Sequence, residues 1–231
     1  NSYTGQTTVE GGTLTLPVAN SGLGTGTVVT AGTLVLGNPS ALGAAATIRL
    51  AGNVVLTLDL AHDGGGPAYG LIFGTTTNAT VISNRASAGA GINHTLTTVG
   101  TAGVGGGAIT FTSGVNVTSG TGRITLTELG LAAGSVQTTV LNPTTANVTV
   151  GNVSKVGSTA INQTLDLGGT TPDNGVIGVI SNGDGAAVVA VTKSNSSTWT
   201  ITTVVSVGTV GLYTSLAFGP DGQPAISYYD S

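Results

Sequence analysis

The residues Gly12-Thr13-Leu14-Thr15-Leu16 return as Gly32-Thr33-Leu34-Val35-Leu36 and, more loosely, as Gly52-Asn53-Val54-Val55-Leu56, a step of 20 residues each time. A second register, Thr7-Thr8-Val9, Thr27-Val28-Val29 and Thr47-Ile48-Arg49, repeats in phase with the first. Two short alternating strands per period, separated by Gly and small residues, describe one coil of a parallel β-solenoid. Such a unit cannot bury its apolar side alone. It becomes stable only when stacked on copies of itself, so the repeat points to a rod before it points to any chemistry.

The composition agrees. Of 231 residues, 39% are hydrophobic, only 6% charged and 4% aromatic, and 39 are Gly. An ordinary globular domain carries about a quarter charged residues, so Thr, Ser, Asn and backbone must cover this surface. Branched Thr, Val and Ile suit pleated strands, and Gly supplies the turns. The class is all-β. Disorder fails because the net charge is only −4, the mean hydropathy is +0.38, and the Val, Leu and Ile residues alternate. With 20-residue coils throughout, about 11 coils would stack into a rod on the order of 50 Å long.

Several function classes fall away. Five Lys/Arg against nine Asp/Glu leave no basic stripe, so no nucleic-acid partner is expected. No apolar run is long enough to span a bilayer as a helix, and the chain is too poor in aromatic girdles to argue strongly for a transmembrane barrel. With no Cys there are neither disulfides nor thiolate ligands, and no cofactor is expected. Met is absent even at position 1, which leads us to expect a processed or excised chain, most simply one whose signal peptide was removed.

We divide the chain into regular coils over 1–60, an irregular continuation of the β-domain over 61–201, and a hairpin tail over 202–231. The pattern breaks between Asp59 and Gly70, at a loop or wide corner containing Leu60-Ala61-His62-Asp63-Gly64-Gly65-Gly66-Pro67. From 71 to 170 the short alternating stretches have wandering spacing. They fit coils of unequal length or, alternatively, a β-sandwich. In the tail, Leu216-Ala217-Phe218 and Ala225-Ile226-Ser227-Tyr228 flank Gly219-Pro220-Asp221-Gly222, a hairpin signal.

The run Asn1-Ser2-Tyr3-Thr4-Gly5-Gln6-Thr7-Thr8-Val9, leading into Gly12-Thr13-Leu14-Thr15-Leu16, resembles the autotransporter-associated β-strand repeat of bacterial secreted proteins. The stretch from Gly175-Val176-Ile177 through Lys193 to Trp199-Thr200-Ile201 resembles what precedes that motif in the same proteins. Together they cover roughly 90 residues. The resemblance implies a right-handed parallel β-helix in the exported passenger of a cell-surface protein, serving as a stalk or adhesive scaffold. In the family the Thr-Trp-Thr element runs straight into the Tyr-Thr-Gly element, whereas here the first lies near the C-terminus and the second at the N-terminus. That order suggests Ile201 of one copy close to Asn1 of the next, a non-closing heterologous contact that makes a filament. The stretch Gly211 to Asp230 resembles a different, propeller-like bacterial repeat, and implies an end cap, a truncated second domain or a donated strand.

Parallel β-helices also host polysaccharide-active enzymes, which need clustered carboxylates. Here Glu10, Glu128, Asp166 and Asp184 are isolated, and the one local constellation is Asp59, His62 and Asp63, whose spacing could surround a cation but is read first as the polar residues a Gly-rich corner needs. His94, with no acid close in sequence, reads as an exposed strand position. No Gly-x-Ser-x-Gly elbow supports a Ser/His/Asp triad. We therefore expect no enzyme. The candidate subunit or glycan contacts are the aromatics Trp199, Tyr213, Phe218, Tyr228, Tyr229 and Tyr3. Trp199 has two readings, core packing at the end of the stack or a sugar platform. Seven Asn-x-Ser/Thr sequons, at Asn78, Asn93, Asn116, Asn147, Asn152, Asn162 and Asn195, exceed chance only mildly. The expected role is a secreted, cell-surface stalk, adhesin or filament subunit. Its partners would be other copies of itself or surface and matrix glycans; a carbohydrate-binding module is the alternative.

Overall fold

A computed structural model describes residues 5–20, 26–43, 46–52, 54–64, 69–74, 78–99, 107–132, 136–156, 161–182, 188–204, 215–218 and 224–227. Among these there is no helix, and 15 strands form one sheet in which every pairing is parallel. The sheet is wound into a solenoid. Strands β1 (Thr7–Leu16) and β2 (Thr27–Leu36) run along both walls of the coil. Next come β3 (Thr47–Leu50) and β4 (Leu56–Ala61), then β5 (Tyr69–Phe73) and β6 (Ala79–Asn84). A short β7 (Gly89–Ala90) precedes β8 (Asn93–Val99) and β9 (Gly107–Ser113), and a short β10 (Val117–Ser119) precedes β11 (Gly122–Ala132) and β12 (Gln137–Pro143). The stack continues with β13 (Ala146–Val156), β14 (Gln163–Leu167), β15 (Asn174–Ser181), β16 (Val189–Lys193) and β17 (Trp199–Val204).

Wall A therefore runs through the first halves of β1 and β2, then β3, β5, β8, β11, β13, β15 and β17. Wall B runs through the second halves of β1 and β2, then β4, β6, β9, β12, β14 and β16. A sandwich of antiparallel sheets is excluded by the uniform parallel pairing. The small strands β7 and β10 pair with each other at a corner. The expected C-terminal hairpin is present as β18 (Ser215–Phe218) against antiparallel β19 (Pro224–Ser227).

The 20-residue step holds for one coil only. Thr7 lies beside Thr27 and Leu14 beside Leu34, but Thr27 faces Ile48 and Gly32 faces Leu56, not Gly52. The reason is the corner. In β1 and β2 the strand turns through a single left-handed glycine, Gly12 (φ 65°) and Gly32 (φ 86°), with a shift of register before pairing resumes at Thr13 and Thr33. A Cβ on Gly32 would lie 2.3 Å from the Gly12 carbonyl oxygen, so only glycine lets these two corners stack. The next coil turns through a separate loop between β3 and β4. Further on, Ala79 faces Ile109 (109 − 79 = 30) and Gly107 faces Thr139 (139 − 107 = 32), before the step settles at 26 for Gln163 and Val189. Longer coils mean fewer layers: wall A holds nine strands, not 11, which is on the order of 40 Å of stack. Strand pairing runs unbroken through residue 60, which lies within β4; the break expected from Asp59 begins only at His62.

Alternation decides what points inward. On wall B, Leu14, Leu34, Leu58, Val81, Phe111 and Pro143 stack in register. On wall A, Leu96, Leu126, Val150, Val176 and Ile201 do the same. Where coil lengths differ, asparagine carbonyls accept main-chain N–H groups: Asn78 from Ala108, Asn152 from Val179 and Asn162 from Val188, at 3.0 to 3.1 Å. Three sequon asparagines thus hold neighbouring coils together.

Leu58 is fully buried in the ladder while Thr57, beside it, points outward. Leu58→Ala is expected to cost about 3 kcal/mol, and Thr57→Ala less than about 0.5 kcal/mol. Chemical denaturation of the two variants checks this; equal costs would refute the assigned strand faces.

Candidate functional site

The densest polar grouping sits where β4, β6 and β8 meet. Strand alternation buries Ser83 at the end of β6 and His94 at the start of β8. The chain leaving β4 brings His62 against them, the two imidazoles meeting edge to face with ring centres 4.6 Å apart. The expectation that His94 is an exposed strand residue is wrong: it is 3% exposed, because it shares the inward side of β8 with Leu96, two residues on.

Ser83 Oγ lies 3.0 Å from His94 Nδ1 and 3.0 Å from the Ile92 carbonyl. His94 Nε2 lies 3.0 Å from the His62 carbonyl. A carbonyl only accepts, so the single proton of the neutral ring belongs on Nε2, and the one hydroxyl proton of Ser83 is shared between His94 Nδ1 and the Ile92 carbonyl. The Gly64 N–H donates to His62 Nδ1 at 3.2 Å. Burial pulls His62 down to about 4, with the neighbouring His94 adding to the effect and Asp63 opposing it. Burial lowers His94 as well, against the upward pull of its bond to the His62 carbonyl and of Asp63.

Serine beside histidine invites comparison with an acyl-transfer dyad. The geometry does not carry it. Ser83 has no exposed surface, so no external carbonyl reaches Oγ, and the imidazole is oriented by a main-chain carbonyl where a triad places a carboxylate. Nor do Asp59, His62 and Asp63 converge on a cation site. Asp59 Oδ2 accepts from Asn84 Nδ2 at 3.2 Å, and burial raises its carboxyl, the Asn84 bond partly opposing. Asp63 instead pairs with Arg85, Oδ1 to Nε 3.0 Å. Among the described residues no three His, Asp or Glu side chains form a metal-binding group.

Around this knot the polar groups brace the corner. Asn84 Oδ1 accepts from the main chain of Arg85 and Asn116, and Asn116 Nδ2 returns a bond to the Arg85 carbonyl at 2.8 Å. Tyr69, which the sequence pattern left in a loop, begins β5 buried. Its hydroxyl donates to the Pro39 carbonyl at 2.8 Å and accepts from Leu42 N–H.

Trp199 is 4% exposed, and its indole N–H is shared between the Gly168 carbonyl at 2.9 Å and Ser197 Oγ at 3.1 Å. A ring so covered offers a sugar no open face. Phe218 closes β18 opposite Pro224. Tyr3, Tyr213, Tyr228 and Tyr229 lie outside the described residues. Ser83, Asn84 and Tyr69 were not singled out from sequence. For Ser83 a signal existed in its two-residue spacing from inward Val81, whereas its meeting with a histidine 11 residues away had none.

No known protein family, characterised protein or solved structure matches the chain.

Folded-state values below the unfolded one mean that the unfolded chain takes up protons first as pH falls. The two histidines therefore contribute fully above about pH 6.5, and their contribution declines as pH drops toward the His62 value of about 4. Asp59, raised by burial, works in the opposite direction at the acid end. The midpoint of thermal unfolding should hold steady from pH 8 to 6.5 and fall below it, and His62→Gln should flatten that fall. An unchanged acid slope in this variant would show that the imidazoles do not govern it.

Proposed function

We propose that this chain is a non-catalytic structural element of an extracellular assembly: a coil stack serving as a surface stalk or adhesin scaffold, or as the subunit of a head-to-tail filament. One observation carries the reading. Parallel coils pair along the whole stack, with local register shifts, so the same main-chain bonding and the same inward Leu/Val/Ile ladders can be extended by further coils, whether of the same chain or of another copy. Buried polar groups serve the frame: Ser83, His94, Asn84 and Tyr69 all bond within it. The resemblance to autotransporter passenger repeats supports an exported scaffold. The covered indole of Trp199 weighs against a glycan platform there.

Cryo-electron microscopy of the full chain, concentrated without denaturation, tests the reading. Continuous fibres with a meridional repeat near ~4.8 Å are expected if copies stack end to end. Dispersed particles on the order of 40 Å long would overturn the filament subunit and leave the stalk. Turnover of a polysaccharide, abolished by Asp59→Asn, would overturn the structural role altogether.

A further inference from the structure

The two walls present different outer surfaces. On wall B the outward side chains Thr13, Thr33, Thr57, Thr80 and Thr110 lie in register on five successive strands, and the line ends at Asn142. Neighbouring strands stand about 4.8 Å apart, so one hydroxyl and one methyl recur at that interval over roughly 19 Å. Two residues further along each strand, about 6.7 Å away, runs a parallel column of Thr15, Val35, Asp59, Ile82 and Thr112. The single charge in this grid is Asp59, whose carboxylate is engaged by Asn84. The hydroxyls of Thr13, Thr33, Thr57 and Thr80 have no hydrogen-bond partner among the described residues, and Thr110 Oγ1 accepts from Asn142 Nδ2 at 3.2 Å.

Wall A is the internal comparison. Its outward threonine column, Thr95, Thr125, Thr149 and Thr200, is broken by Gly175. Two of its four hydroxyls are in use: Thr125 donates to Asn93 Oδ1 at 2.9 Å and Thr149 accepts from Arg123 at 2.7 Å. Arg123 in turn pairs with Asp173, which places charge over that surface. The same fold thus carries one wall whose threonine column is interrupted, half engaged and crossed by an ion pair, and one whose column is unbroken over five strands and bears a single charge beside it.

We propose that the threonine face of wall B binds ice. A dissolved ligand needs a few dissimilar groups around it, whereas a crystal surface is matched by one group repeated at a fixed interval, as the threonine is along this column. The grid spacings lie near the oxygen repeats of the ice lattice. The hydroxyls can join lattice waters, and the methyls order the water between them. Charged side chains would hold hydration shells that do not fit ice, and the grid nearly lacks them. Each contact is weak, and the array supplies the strength through simultaneous engagement. A crystalline polysaccharide is the other ordered surface, but it is gripped by stacked aromatics, and neither column contains one.

The full chain in a nanolitre osmometer gives the test. Faceted crystals and a gap between melting and freezing are expected, and Thr57→Arg/Thr80→Arg should shrink that gap by roughly fivefold or more, whereas Thr200→Arg on wall A leaves it unchanged. Circular dichroism confirms that each variant is folded; if the double variant is not, Thr80→Arg alone takes its place. Round crystals with no gap for the native chain overturn the proposal. So does a gap that survives in the folded variant, or Thr57-dependent retention on crystalline chitin or cellulose without any effect on ice.

Discussion

Everything in this structure depends on the parallel main-chain pairing between successive coils. A strand on either wall has no hairpin partner beside it in sequence; its N–H and C=O groups are satisfied only by coils before and after it. That requirement fixes register, and register fixes which side chains stack. Once Leu34 lies over Leu14 and Leu58 over Leu34, the alternation of the strand sends Thr13, Thr33 and Thr57 outward together. The apolar ladder inside and the threonine line outside are two consequences of one hydrogen-bonding pattern.

Coil length is where the fold varies. The two tight corners at Gly12 and Gly32 give way to loops, and the additional backbone needs partners. Asparagine supplies many of them, because its amide mimics a peptide group and reaches the N–H of a neighbouring coil, as at Asn78, Asn152 and Asn162. The longest steps, between coils containing β6, β9 and β12, surround the region where Ser83 and His94 bond inside the core. Burying imidazoles there is tolerated because each is neutral and hydrogen-bonded.

The walls share a backbone geometry but not a surface chemistry. Arg123 reaches from wall A to Thr149 and Asp173, tying adjacent coils from outside. Across the first four coils of wall B the Asn84–Asp59 bond ties β6 to β4, and among the described residues the hydroxyls of Thr13, Thr33, Thr57 and Thr80 take no part in such ties. A scaffold held by main-chain pairing and an internal ladder is free to carry unrelated functions on its two outer faces, since outward side chains contribute little to its stability.

The sequence by itself determined the all-β class, favoured stacked parallel coils over a sandwich, and marked the hairpin after residue 214, because these rest on local period-two alternation, Gly spacing and turn chemistry; only the parallel pairing excluded the sandwich. It also determined the inward Leu and Val positions within each strand. Only the tertiary structure decided that Gly32 pairs with Leu56, that nine layers stand on wall A, that His94 is buried on Ser83, and that five threonines align. The physical reason is the same in each case. Partners in a parallel solenoid are 20 to 32 residues apart, as Thr7 with Thr27 and Gly107 with Thr139 show, and the corner between them sets the register. A change of one residue in a corner leaves every local signal intact and moves every cross-coil contact.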